Sequence, residues 1–159
     1  MRFIIILSVL SIFILNGCLD STGTSNDICS DFDRQAQTDF LEQNSAAEGI
    51  MVTDSGLQYR GIEEGDGESP GPESVVFIEY TGRLIDGTVF DSTENVGEIS
   101  FGVNQVIPGF AEGLQLMSVG ATYEFYLPPE LGYGENPPLG TAICPGAALI
   151  FEVQLNSIE

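Results

Sequence analysis

The chain contains no histidine, no tryptophan and no lysine. Without histidine, hydrolases built on a His-containing triad are excluded. With three cysteines, none of them closely spaced, no zinc or other metal site is expected either. The missing lysines leave four arginines against 24 acids, a formal net charge of −20. Nucleic-acid binding depends on cations set against phosphate, so no nucleic-acid partner is expected. Attachment to anionic lipid through basic clusters is excluded on the same grounds, which leaves a lipid or apolar anchor as the only route to a membrane. A solvated acidic surface suited to saline surroundings accounts for the carboxylates. Calcium is the rival explanation, but no D-x-[DN]-x-[DN]-G loop occurs.

Long apolar runs are scarce too. The one near the start follows Arg2 and covers Phe3 to Leu15, ahead of Asn16, Gly17 and Cys18. Such a run falls short of the roughly 20 residues that span a bilayer. A basic start, a short apolar core and a small residue before the break describe a secretory signal over residues 1–17. The segment LNGC, ending at Cys18, resembles the lipobox of bacterial lipoproteins, in which the cysteine becomes the lipidated first residue. Simple secretion and an uncleaved anchor are the other readings. Leu19, rather than Asp, after that cysteine resembles an outer-membrane address. The expected location is therefore the periplasm, with a lipid anchor in the outer membrane. Processing at Cys18 leaves Cys29 and Cys144, an even pair in an oxidising compartment. A disulfide, two buried thiols and a bridge between molecules all fit that pair.

Residues 18–48 divide into a polar tether up to about Ser30 and a short amphipathic helix within Asp31 to Ala47, with Phe32, Ala36, Phe40 and Leu41 at helical intervals and Gly49 as its stop. Residues 49–159 form the domain proper. Leu57 to Ile62 starts a strand, and Glu63 to Pro72 is a loop dense in Gly, Pro and acid. Val76, Ile78, Tyr80 and Leu84 share one face of the next strand, against Glu79, Thr81 and Arg83 on the other. Pro108 to Met117 is the domain's helix, with Pro near its first turn. A strand at Thr122 to Leu127, a long loop from Pro128 to Gly146, and a last strand with Leu149, Phe151, Val153 and Leu155 inward complete the pattern. The expected fold is α+β, an antiparallel twisted sheet wrapped over one helix with a pocket between them.

Four segments in fixed order carry a more specific signal: VVFIEYTGRLIDGTVFD (Val75 to Asp91), VIPGF (Val106 to Phe110), LGYG (Leu131 to Gly134) and ALIFEVQL (Ala148 to Leu155). Together they resemble the FK506-binding type of peptidyl-prolyl isomerase, from near Gly49 to Glu159. The resemblance implies the same fold and an activity that accelerates rotation about X-Pro bonds. That rotation has a barrier of about 20 kcal/mol from amide resonance and makes or breaks no bond, so no nucleophile, metal or cofactor is required. Desolvating the amide, fixing the proline ring and offering hydrogen bonds to the twisted form suffice.

Carried over residue by residue, the resemblance makes Tyr80, Phe90, Phe110 and Phe151 the aromatic walls and Val106 and Ile107 the floor, with the Ile107 N–H holding a substrate carbonyl. Tyr133 offers its hydroxyl, Asp91 bonded to Tyr80 sets the polarity, and Ile143 closes one side. Taken singly, each Phe, Val or Ile reads as core and Asp91 as a turn residue; their shared register with the family pattern makes them site residues. Partners implied are proline-containing polypeptides and macrolide-type inhibitors.

Three departures stand out. Phe110 lies where the family usually has tryptophan, no arginine occurs near residues 93–98 to pair with Asp91, and Ile143, Cys144, Pro145, Gly146 replaces a proline-richer loop. A smaller Phe suggests a deeper pocket, and the added glycine a looser loop unless Cys144 is tethered. No inserted chaperone segment is evident, and too little chain precedes the domain for the helices that build dimers in some members, so a monomer is expected. The alternatives are a non-catalytic module gripping proline segments and a structural envelope lipoprotein.

Overall fold

Helix α1 spans Arg34–Ser45 and is opened by Asp33, whose carboxylate accepts from the N–H groups of Gln35 and Ala36. This is a computed structural model in which residues 29–159 are described. The expected signal at residues 1–17, the lipidation site Cys18 and most of the tether lie outside the described residues. The helix ends before the expected Gly49 stop. Asn44 turns its side chain to Gln58, Ser45 bonds back to the Glu42 carbonyl, and Ala46 is the C-cap. Asn and Ser compete with the helix for their own backbone, so the end falls there. Gly49 instead takes φ +80° in the turn beyond.

Seven antiparallel strands follow: β1 (Met51–Val52), β2 (Gln58–Glu63), β3 (Val75–Arg83), β4 (Val89–Ser92), β5 (Ile99–Gly102), β6 (Thr122–Leu127) and β7 (Leu149–Ile158). They line up as β1-β2-β6-β7-β3-β4, with β5 sharing the outer edge of β3 with β4. Helix α2 (Pro108–Leu116) crosses the concave side. The α+β arrangement is the expected one: an antiparallel sheet wrapped over one helix. Short 3-10 turns at Val103–Gln105 and Pro129–Leu131 lead into α2 and out of β6.

The register explains which residues meet. On the inner face one row reads Tyr59, Phe125, Phe151, Gly82 and the next Gly61, Tyr123, Val153, Tyr80 across β2, β6, β7 and β3. Phe125, Val153, Val76, Ile78 and Leu155 are sealed from solvent beneath α2. Glycines let the helix come down that far. A Cβ on Gly109 would stand 2.7 Å from Leu127, and one on Gly113 2.8 Å from Phe125. Pro108 occupies the first helical turn, where a missing N–H costs nothing.

The outer face is covered too, which alternation alone did not reveal. There the rows read Gln58, Tyr126, Ile150, Arg83 and Arg60, Glu124, Glu152, Thr81. Helix α1 lies on the first row. Its Phe40 ring is 6.1 Å from that of Tyr126, Asn44 Nδ2 donates to Gln58 Oε1 at 2.8 Å, and Gln58 Nε2 donates to the Leu41 carbonyl at 2.9 Å. The second row holds a buried carboxylate, Glu124, only 2% exposed, which takes Arg60 at 2.7 Å, the Tyr126 hydroxyl at 2.5 Å, and Arg83.

Candidate active site

Tyr80 enters the inner face from the middle of β3, where its main chain is gripped on both edges. Val153 of β7 pairs with it on one side. On the other, Thr93 accepts the Tyr80 N–H with its hydroxyl at 2.9 Å and donates its own N–H to the Tyr80 carbonyl at 3.0 Å. Thr93 is itself buried, so the strand that carries Tyr80 cannot shift without unpairing a polar group.

Two residues on, Gly82 completes the YTG triplet for a steric reason. A Cβ there would meet the Phe90 ring at 2.7 Å and the Phe151 ring at 3.0 Å. With glycine, Phe90 folds across β3 and sets its edge to Phe151 with ring centroids 5.5 Å apart. A register shift between Gly82 and Arg83 then brings Asp91 opposite Gly82, and the Tyr80 hydroxyl donates to Asp91 Oδ2 at 2.5 Å. Asp91 also accepts the Ser92 N–H at 3.0 Å, which orients its second oxygen without any arginine.

Phe110, at the start of α2, closes the base: its ring lies 4.9 Å from Phe151 and 5.9 Å from Tyr80, both near edge-to-face. Val106 and Ile107 lead into the same helix, with Ile107 as the N-cap, so its N–H lies ahead of the helical ladder. Tyr133 comes from the connection between β6 and β7. The result is a cavity of about 310 Å³ lined by Tyr80, Phe90, Asp91, Val106, Ile107, Phe110, Tyr133 and Phe151, together with Phe101 and Gln105.

Eight of the nine expected pocket residues are thus brought together. Ile143 is the exception: it is 6% exposed and packs into the core cluster, so it supports the connection from beneath and does not line the cavity. Phe101 and Gln105 were not expected. Phe101 stands on β5 with its ring 6.3 Å from Tyr80, and the available signal was an aromatic residue shortly before VIPGF. Cys29 and Cys144 are joined by a disulfide with Cα atoms 5.6 Å apart, next to the cavity-bearing connection.

Asp91 is the only charged residue in the lining. Burial, and then the bond to Asp91, push the Tyr80 hydroxyl well above its ordinary value; burial, and then the Asp91 charge, raise that of Tyr133. Both hydroxyls therefore stay protonated throughout the physiological range; Tyr80 gives its hydrogen to Asp91, and the Tyr133 hydroxyl is the one left to donate into the cavity. All three arginines among the described residues are engaged elsewhere, Arg34 with Glu135 and the other two with Glu124. The cavity is lined mostly by aromatic and aliphatic side chains and edged by Asp91, Gln105 and the Tyr133 hydroxyl, with no serine, cysteine, lysine or histidine among its lining residues.

Sheet, helix and cavity together make an FKBP-like α+β domain, and comparison with solved structures agrees: the crystal structure of FkpA from Escherichia coli superposes with a TM-score of 0.74 at 33% identity, over 79% of this chain and 58% of that one. The family model for FKBP-type peptidyl-prolyl cis-trans isomerase matches residues 66–156, and that for the domain amino-terminal to this isomerase matches residues 30–60. The chain belongs to the FKBP-type peptidyl-prolyl cis-trans isomerase family. Among curated relatives, the outer membrane protein MIP of Legionella longbeachae is 50% identical over 121 residues, 76% of this chain and 52% of the relative. The FKBP-type 22 kDa peptidyl-prolyl cis-trans isomerase of Escherichia coli K12 is 49% identical over 120 residues, 75% of this chain and 58% of the relative. The chain thus spans little more than half the length of these relatives.

Proposed function

We propose that the protein is a peptidyl-prolyl cis-trans isomerase acting on proline-containing polypeptides in the cell envelope. The observation that carries this reading is the aromatic cavity itself, in which Tyr80, Phe90, Phe110 and Phe151 surround a space of about 310 Å³ beside one carboxylate and one further hydroxyl. A proline ring entering between those rings leaves water, and with it goes the preimide carbonyl. The planar amide is more polar than the twisted one, so desolvation raises the ground state more than the transition state. In this reading the Ile107 N–H holds a substrate carbonyl, and the Tyr133 hydroxyl donates to the amide as it twists. The Tyr80–Asp91 pair keeps a negative partner fixed at the rim. Phe110 supplies the base, smaller than an indole and without its N–H.

Isomerisation of a short X-Pro peptide by the purified protein tests the proposal. Tyr133→Phe and Asp91→Val should each lower kcat/KM by roughly tenfold, the worth of about one hydrogen bond. Peptide binding with no acceleration would overturn the assignment and leave a proline-recognition module.

The name of the Legionella relative places that protein in an outer membrane, which supports an envelope location here. We further propose, on the sequence alone, a signal at residues 1–17, lipidation at Cys18, and a monomeric domain from residue 49 onward. Replacing Cys18 by serine should release the protein from the membrane fraction; unchanged partitioning would discard the lipid anchor. Macrolide-type inhibitors should compete with the peptide for the same cavity.

A further inference from the structure

Tyr133 stands on the long connection from β6 to β7, which holds one 3-10 turn and no strand. The two limbs of this connection meet at a single main-chain bond, the Gly146 N–H donating to the Gly134 carbonyl at 2.8 Å, immediately beside Tyr133. Gly134, Gly140 and Gly146 all take positive φ, at 56°, 82° and 82°, so the path is built from residues with little backbone stiffness of their own. The first limb and tip of the connection, exposed at Glu135, Asn136, Leu139 and Gly140, are the kind of segment that opens at low cost. A hydroxyl acting through one directional hydrogen bond, however, has to be held to within about 0.5 Å.

The α1 arm is fastened to both limbs at their meeting point. On the first limb Arg34 donates two parallel hydrogen bonds to Glu135, at 2.6 and 2.7 Å. On the second, Cys29 is covalently bound to Cys144, and the Ala148 N–H donates to Gln37 Oε1 at 3.2 Å. The Arg34 guanidinium also packs against Gly146, so close that a Cβ there would stand 2.4 Å from Nη1. One side chain therefore touches both limbs. We propose that Cys29, Arg34 and Gln37 are positioning residues for Tyr133: the arm clamps the base of the connection and so fixes where the hydroxyl points into the cavity. The proposal rests on the isomerase reading above, in which that hydroxyl meets the substrate.

The division of labour within the clamp follows from exposure. Arg34 and Glu135 are 58% and 62% exposed, and such pairs add little to stability. Their contribution is geometric, because a planar fork on a carboxylate sets direction as well as distance. The disulfide supplies the restraint that solvent cannot loosen. Gln37, buried, ties the limb to the helix from behind.

The test is a double-mutant cycle read in kcat and KM on an X-Pro peptide, well below each variant's melting temperature. Cys29→Ser with Cys144→Ser, and separately Arg34→Ala and Arg34→Lys, are each measured alone and with Tyr133→Phe, in the full chain. We expect the clamp variants to lower kcat about three- to tenfold with KM little changed. Arg34→Lys should fall between wild type and Arg34→Ala, and the loss should vanish in the Tyr133→Phe background. Losses that persist there, or a lowered melting temperature with kcat intact, would show the arm to be a stabilising cover only and overturn the proposal. Should the cysteine variant not fold, the arginine pair of variants decides alone. A wild-type protein that does not accelerate the peptide would remove the isomerase reading, and the clamp's role with it.

Discussion

The two faces of the sheet are closed by different means. Inside, α2 presses on Phe125, Val153 and Leu155 through apolar atoms, and the contacts are set by shape. Outside, α1 meets the sheet through amides and one ring, and three of the four buried polar side chains, Gln37, Gln58 and Glu124, belong to that side. Every buried polar side-chain atom among the described residues has a partner. Apolar contact tolerates a shift of a few tenths of an ångström; an amide pair does not. The pocket face thus owes its existence to close packing and the outer face its register to pairing.

The comparison is broken most severely from the inside. Phe125→Ala, at a fully sealed position, should cost about 3–5 kcal/mol in denaturant unfolding. Phe40→Ala, on the half-exposed helix outside, should cost less than about 1.5 kcal/mol. Next comes the covalent tie. Replacing Cys29 and Cys144 by serine removes a link across 115 residues and should lower stability by about 2–5 kcal/mol. Glu124→Gln follows: it takes the charge from a carboxylate that serves two arginines and a tyrosine. A loss of about 2 kcal/mol is expected, limited because both arginines still reach water. Gln37→Ala should cost about 1 kcal/mol, the worth of one hydrogen bond to a buried N–H.

The smallest effect is silent at neutral pH. Burial, and then its bond to Glu124, push the Tyr126 hydroxyl up to about 12, against an ordinary value of 10. Its contribution is whole below about pH 10, where both states hold the proton. As pH rises toward the folded value the unfolded chain ionises first, and stability is lost. Unfolding measured from pH 8 to 12 should show this fall, and Tyr126→Phe should flatten part of it. An unchanged slope would place the loss on Tyr80, Tyr123 and Tyr133, whose hydroxyls are raised as well.

The same contrast explains what could be read in the sequence. The inner face announced itself because strands alternate every second residue. Val76, Ile78 and Tyr80 on β3, and Leu149, Phe151, Val153 and Leu155 on β7, point where that period says. The four ordered segments then brought Tyr80, Phe90, Asp91, Val106, Ile107, Phe110 and Tyr133 to one cavity. Ile143 was misplaced because an apolar residue beside a site and one beneath it look alike in one dimension. The outer cover was illegible for a different reason. Gln37, Asn44 and Gln58 are common surface residues, and nothing in their spacing says that they face each other. Arg34 and Glu135 are 101 residues apart, a separation that no local pattern spans.

The order of strands also governs when this protein can exist as a folded object. The last of the seven strands in chain order, β7, lies in the middle of the sheet, between β6 and β3. Until it emerges, β2 with β6 and β3 with β4 and β5 are two half-sheets joined by no ladder of their own. Closure therefore waits on β7 and must draw together partners far apart along the chain, a slow route by contact order. Without β7 the sheet is not continuous, and losing that ten-residue strand would split it down its centre.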